Sequence, residues 1–241
     1  MTDRWVPRSS DRGVGGCEQQ VQVPSASPCA AVLVGTAGRF SAVIFNFVEC
    51  VRLSMQGGLR SFPHSLDQKY LVVLGWGFVV PVVWGFSARW LPTFLAISKP
   101  SVRWFRAALC IDLAGVLFGV AGWPKPATIL FAFSAFTIAF ALRFAERPHG
   151  RAKTQGIHPS FPTFIRLAYA WLIVAGSMSV WAAISDVHGG IWGASLHALT
   201  VGFAATMVFA IGPRILPHFA GIQSIFSKRL MFLSLLCLQT G

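Results

Sequence analysis

The chain has 241 residues, of which 54% are hydrophobic and only 12% charged, about half the charged share of an ordinary soluble domain. Too few polar side chains are present to cover a water-facing surface, which excludes a soluble globular domain. The net charge of +12 does not point to nucleic acid, because Lys and Arg fall in short connections between apolar runs and build no basic face with aromatic platforms.

Residues 1–28 are polar, rich in Gly, Pro and Ser and without periodicity, so they read as disordered; no apolar run directly follows the charged start as in a cleavable signal. Residues 29–51 are more apolar but carry Arg39, Asn46 and Glu49, and form either a poor membrane helix or an interfacial one. Residues 52–69 read as a polar loop. The clear spans follow at 70–91, 104–123, 127–145, 163–185 and 193–212, each with enough apolar residues to cross a hydrocarbon layer of roughly 30 Å. Pro81, near the middle of the first, predicts a kink, since it removes one hydrogen bond from the ladder. A last apolar run, 228–241, is too short to cross and predicts a sequence that stops partway through its architecture. The expected fold is an all-α polytopic transmembrane bundle with five clear spans, a partial sixth and, if 29–51 crosses, an extra N-terminal one. Helix partners or a missing C-terminal half are expected to complete it.

The basic residues alternate between connections. Lys99, Arg103 and Arg106 follow the first clear span, Arg143, Arg147, Arg151 and Lys153 the third, and Lys228 and Arg229 the fifth. The intervening turns hold only Lys125 on one side and Asp186 with His188 on the other. The positive-inside rule puts the basic connections in the cytoplasm. Arg52, Arg60 and Lys69 conflict with that assignment.

Cysteines give little. Cys17, Cys29, Cys50, Cys110 and Cys237 are scattered, with no CxxC, no metal-site spacing and no CxxCH, so any haem is held non-covalently.

The stretch "SLHALTVGFAATMVFAIGPRILPHFAG" (195–221) is the richest in unusual residues. Ala194, Ala198, Gly202, Thr206 and Ala210 recur every four residues as a ridge of small side chains, which in lipid lets another backbone approach closely. His197 lies one turn inside the membrane, where an ionisable side chain is a functional candidate and a neutral imidazole a common ligand for haem iron or copper. The plainer alternative is a His bonded to a neighbouring helix or to headgroup water. Arg214, between Pro213 and Pro217, reads as an anchor reaching the phosphates, and His218 lies at the same interface. His197 and His218 are 21 residues apart, roughly 31 Å along a helix, so they cannot share one metal ion. His188 is the nearest imidazole on the side of His197. Asp112, inside the second clear span, is either a proton-relay group or a protonated acid bonded to a neighbour. No GxSxG, Walker A, HExxH or dinucleotide fingerprint is present.

The blocks "LRSFPHSLDQKYLVVLGWGFVVPVVWGFSARWLPTFL" (59–95) and "LHALTVGFAATMVFAIGPRILPHFAG" (196–221) resemble the NnrS family of polytopic membrane proteins. The family's His, Gly, Arg, His and Gly pattern falls on His197, Gly202, Arg214, His218 and Gly221. Around His218 this chain reads PHFAG where the family pattern runs GHTGR. The resemblance implies a bacterial inner-membrane protein that binds haem and copper and serves the response to nitric oxide and nitrosative stress, linked to denitrification. By that implication His197 and His218 become the leading haem or copper ligands. It does not distinguish catalysis from metal storage or sensing. A reading from a different class stands beside it: a proton-coupled, transporter-like bundle for a small solute, without prosthetic metal, in which Asp112 carries the proton.

Overall fold

The computed structural model describes residues 26–56, 64–149, 159–185, 190–212 and 227–240. Among them the chain is helical and contains no strand. In order it forms α1 (Ala26–Gln56), α2 (His64–Val72), a π-helical segment (Val73–Val79), α3 (Val80–Leu95), α4 (Val102–Val120), α5 (Pro124–Ala141), α6 (Phe161–Ser185), α7 (Gly190–His197), a second π-helical segment (Ala198–Ala205), α8 (206–212) and α9 (Lys228–Thr240). α2, the first π segment and α3 make one continuous rod, because the junction residues Val72 and Val79 keep helical dihedrals. α7, the second π segment and α8 make another, through His197 and Thr206.

Five helices are long and apolar enough to cross a membrane: Cys29–Arg52, Asp67–Leu95, Pro124–Ala141, Phe161–Ser185 and Gly190–Gly212. They differ in one member from the five clear spans of the sequence. α1, read as a poor span, qualifies, while α4 does not, because Arg103, Arg106 and Asp112 lower its apolar content. With 19 residues, or about 28 Å, α4 nevertheless matches its neighbours in length. Residues 52–69, read as a loop, belong to the end of α1 and the start of α2 wherever they are described.

The helices pack as a ring. α4 lies on α5, α5 on α6, and α6 on α7 and the second π segment; the first π segment touches both α4 and the second π segment and so closes the circle. α1 lies outside, antiparallel to the first rod, pairing Gly35 with Val82 and Gly38 with Gly77. Its buried stripe is small, including Ala31, Gly35 and Ala42, as expected where close backbone packing replaces hydrophobic burial. The same device recurs inside the ring. A Cβ on Gly176 of α6 meets Ala132 Cα of α5 at 2.9 Å, and one on Gly75 meets Leu199 Cδ2 across the two π segments at 3.0 Å. The outer surface is apolar: Phe133, Phe140, Trp181, Ile184 and Val208 are all more than half exposed. Such a surface suits a lipid bilayer.

The π segments have local causes. In the first, the Val80 N–H donates to Gly75 O, five residues back. This widened turn immediately precedes Pro81, which has no N–H to give and would crowd a regular α-turn. The irregularity expected at Pro81 therefore takes the form of a π segment. Helix ends show equally specific chemistry. α4 stops where Gly122 adopts a left-handed φ of 86°, with Gly122 N–H on Gly119 O (3.1 Å), Trp123 N–H on Phe118 O (2.9 Å) and the Phe118 and Trp123 rings 5.7 Å apart. This is the Schellman arrangement with its hydrophobic contact. α5 ends the same way around Arg143, at φ 56°, so it finishes at Ala141 and not at 145.

Candidate functional site

His197 is the last residue of α7, directly before the second π segment. Its side chain is exposed, and Nδ1 lies 3.0 Å from Gly193 O. A carbonyl oxygen only accepts, so Nδ1 is the donor, and in the neutral ring the lone pair lies on Nε2. Thr200 and Val201, which follow on the same rod, are exposed as well. His197, Thr200 and Val201 thus form an exposed flank of this rod among the described residues. His188, Arg214, His218 and Gly221 lie outside the described residues. Among the described residues no group of three or more His, Cys, Asp or Glu could hold a metal ion.

The small-residue ridge is largely buried: Ala198, Gly202, Thr206 and Ala210 face the bundle, and Ala194 is exposed. Gly202 is its tightest point, where a Cβ would stand 2.6 Å from Trp171 Cγ of α6. Trp171 Nε1 donates to Gln239 Oε1 at 2.7 Å, and Gln239 Nε2 donates to Thr206 Oγ1 at 2.6 Å. This chain of bonds ties α9 to α6 and α8. Thr206 is thus a junction between three helices as well as a small residue in a ridge.

Asp112 is 1% exposed on α4, and Ser134 Oγ of α5 lies 3.3 Å from its Oδ1. The same hydroxyl sits 2.9 Å from Phe131 O, so a single proton serves two acceptors. A carboxyl at this depth with one weak partner is a candidate for proton exchange.

At the basic end, Ser98, Glu146 and His149 meet. Ser98 Oγ donates to Glu146 Oε1 at 2.7 Å, and His149 Nε2 lies 2.7 Å from that oxygen and 3.1 Å from Ser98 Oγ. The residue types are those of a hydrolytic triad, but the geometry is not. One imidazole nitrogen faces both partners, so the ring cannot pass a proton from serine to carboxylate. The cluster instead knots two connections together, with His149 N–H on Ala96 O (2.9 Å) and Arg166 Nη2 donating to Glu146 O (3.3 Å). The Ser98 hydroxyl, followed by His149 and Arg143, holds the Glu146 carboxyl below the usual glutamate range against a smaller opposing effect of desolvation.

Sequence reasoning missed a third polar locus, between α3 and α6. Trp84, Ser87 and Tyr169 are each at most 2% exposed; the Ser87 and Tyr169 hydroxyls face each other, and Trp84 Nε1 makes no hydrogen bond. Ser87 and Tyr169 lie beside one another, and Trp84 sits one turn before Ser87 on the same rod. Leaving a buried polar group unpaired costs about 1–3 kcal/mol, which makes the Trp84 indole N–H a costly exception in a packed bundle. The only trace in the sequence is a lone Ser inside "VVWGFSARWL" and a lone Tyr inside "FIRLAYAWL".

No curated protein and no solved structure matches the chain. Residues 69–241, which take in every described helix except α1 and the start of α2, match the DUF8744 family, a domain of unknown function. That is well over half of the sequence, and the chain belongs to the DUF8744 family.

Proposed function

We propose that this membrane bundle holds a haem through His197 and serves the nitric oxide or nitrosative-stress response of a bacterial inner membrane. The wider reading rests on the resemblance of residues 59–95 and 196–221 to the NnrS family. Its carrying observation is the imidazole: an exposed side chain with Nδ1 engaged by the Gly193 carbonyl. Metal-bound histidines are commonly oriented by such a bond, which fixes the tautomer and raises ligand basicity. A haem bound there supplies an iron that takes diatomic ligands or single electrons. The chain's own part is to hold a neutral imidazole at a fixed angle and to offer it an open apolar flank. Copper is not assigned to any described residue.

The haem content of the detergent-purified protein tests the reading. Wild type is expected to be red and His197→Ala colourless while remaining monodisperse. Equal colour in both removes His197 from the site, and a colourless, folded wild type overturns the haem reading.

A second reading is favoured by one observation, the burial of Asp112 with only Ser134 beside it. In this reading the bundle couples a proton to a small solute. Asp112→Asn then abolishes proton-coupled uptake in proteoliposomes and leaves any haem content unchanged.

A further inference from the structure

We propose that the cavity between the start of α4 and the end of α5 binds one zwitterionic phospholipid, its phosphate on Arg143 and a primary ammonium on Glu146.

The cavity measures about 390 Å³, and Ser101, Trp104, Phe140, Arg143 and Glu146 stand in its wall. Small-ligand sites run from about 300 to 1,000 Å³. The wall changes character across the membrane boundary. Trp104, in the first turn of α4, and Phe140, in the last turn of α5, are more than half exposed, with ring centroids 5.3 Å apart edge to face. Aromatic rings of this kind collect where hydrocarbon meets headgroups. Arg143 and Glu146 follow just beyond the end of α5 at Ala141. One part of the wall therefore suits the glycerol and acyl chains of a lipid, and the other suits its headgroup.

Both charged groups are short of partners. Among the described residues the Arg143 guanidinium has Glu146 Oε1 at 3.8 Å, which is longer than a hydrogen bond, so its N–H donors are unused there. Glu146 Oε1 meets Ser98 and His149, each at 2.7 Å, whereas Oε2 is buried and accepts no bond. The wall thus carries a cation with spare donors beside a carboxylate with a spare acceptor.

That pairing selects the occupant. An anion alone would face Glu146, and a cation alone would face Arg143. A phosphate joined to an ammonium through two carbons meets both, and a guanidinium fork matches phosphate oxygens. A primary ammonium brings N–H donors for the carboxylate, which a trimethylammonium lacks. The headgroup is therefore that of phosphatidylethanolamine. The backbone agrees with a role for this arginine. α4 makes its closing left-handed turn with Gly122, whereas α5 makes it with Arg143 at φ 56°, a conformation that side chains disfavour. The guanidinium is held where glycine would fold more readily.

Native mass spectrometry of the full-length protein in detergent provides the test, by titration with phosphatidylethanolamine, phosphatidylcholine and phosphatidylglycerol of identical acyl chains. Wild type is expected to bind one phosphatidylethanolamine several-fold more tightly than either other lipid. Arg143→Gly relieves the turn and keeps the fold, and it is expected to lose about tenfold of that affinity with its charge-assisted bonds. Arg106→Gln, which removes an exposed charge of α4 outside the cavity wall, is expected to bind as wild type does. Soluble phosphoethanolamine, with no acyl chains, is expected to compete poorly. Equal affinity for the three lipids overturns the proposal. So does an Arg143→Gly affinity equal to that of wild type, an equal loss in Arg106→Gln, or phosphoethanolamine binding as tightly as the lipid, which would mark a site for a soluble ligand.

Discussion

Gly202→Ala adds one methyl group at the tightest contact of the ring. The new Cβ would stand 2.6, 2.7 and 2.9 Å from Cγ, Cδ2 and Cβ of Trp171. These atoms belong to the root of the indole, so no flexible tip can yield, and α6 or the second π segment must move. Overpacking of this kind costs about 1–3 kcal/mol. The movement also pulls Trp171 Nε1 from Gln239 Oε1, and a hydrogen bond between membrane helices averages about 0.6 kcal/mol. Against both stands the better helix propensity of Ala, worth about 0.5–1 kcal/mol. The net loss is roughly 1–3 kcal/mol, which at about 2–4 °C per kcal/mol for a chain of this size lowers the melting temperature clearly. Gly193→Ala is the control, since a Cβ there has nothing within 4 Å, and only the propensity gain remains. The assay is thermal unfolding in one detergent, read by loss of the monodisperse peak. If Gly202→Ala melts with or above Gly193→Ala, the close approach of α6 to the second π segment is wrong.

Arg143 closes α5 in a left-handed conformation at φ 56°, which strains a side-chain-bearing residue by about 1 kcal/mol or more. Its pairing with Glu146, at 3.8 Å and half exposed, returns at most a fraction of that. Arg143→Gly is therefore expected to raise stability by about 0.5–1 kcal/mol, and Arg143→Ala is not; equal melting temperatures for the two variants would count against a strained C-cap. The knot at Glu146 has a defined pH dependence. Its carboxyl titrates below the usual range in the folded protein, so the stabilisation is full above the ordinary glutamate value of about 4.3 and is lost as pH falls through the lower folded value. The stability difference between wild type and Glu146→Gln should be constant from neutral pH down to that point and shrink below it, and a difference that persists unchanged through strong acid refutes the assignment.

Much of the fold is legible in the sequence, because a lipid-facing helix must carry an uninterrupted apolar run of sufficient length. The runs at 163–185 and 193–212 match α6 and the α7–α8 rod to within three residues. The discrepancies come from forces that hydropathy does not report. α1 docks through small residues, whose contribution lies in the approach they permit to Gly77 and Val82. α4 carries Asp112 and still packs fully against α5, since Ser134 meets the carboxyl. α5 stops early because Arg143 takes the left-handed cap. Among candidate site residues, His197 and Asp112 stand out by charge alone. Ser87 and Tyr169 do not, because their significance arises only when α3 and α6 face each other across the ring.

One signal for the π segments was present and has a physical explanation. In a regular α-helix a step of four residues overshoots a full turn by about 40°. A ridge with four-residue spacing therefore drifts by about 120° between Ala198 and Ala210 and cannot face one neighbour throughout. A π segment acts like one inserted residue and turns the following helix back by about 100°, which returns Thr206 and Ala210 to the side of Ala198. All of Ala198, Gly202, Thr206 and Ala210 are buried. The first rod repeats the pattern, with Val72, Trp76, Val80 and Trp84 buried at the same spacing across Val73–Val79. Deleting one exposed residue from a π segment should then convert it to α-helix and preserve the register on both sides. Deletion of Val201 in the second π segment is expected to leave a folded, monodisperse protein. Deletion of the similarly exposed Val174 in α6 turns Ala175, Gly176, Ser179 and Ala182 away from their partners by about 100° and is expected to abolish folding. Both variants are compared by yield of monodisperse protein and by melting temperature. If the Val201 deletion is as damaging as the Val174 deletion, the two rods hold their four-residue faces by some means other than the π turns.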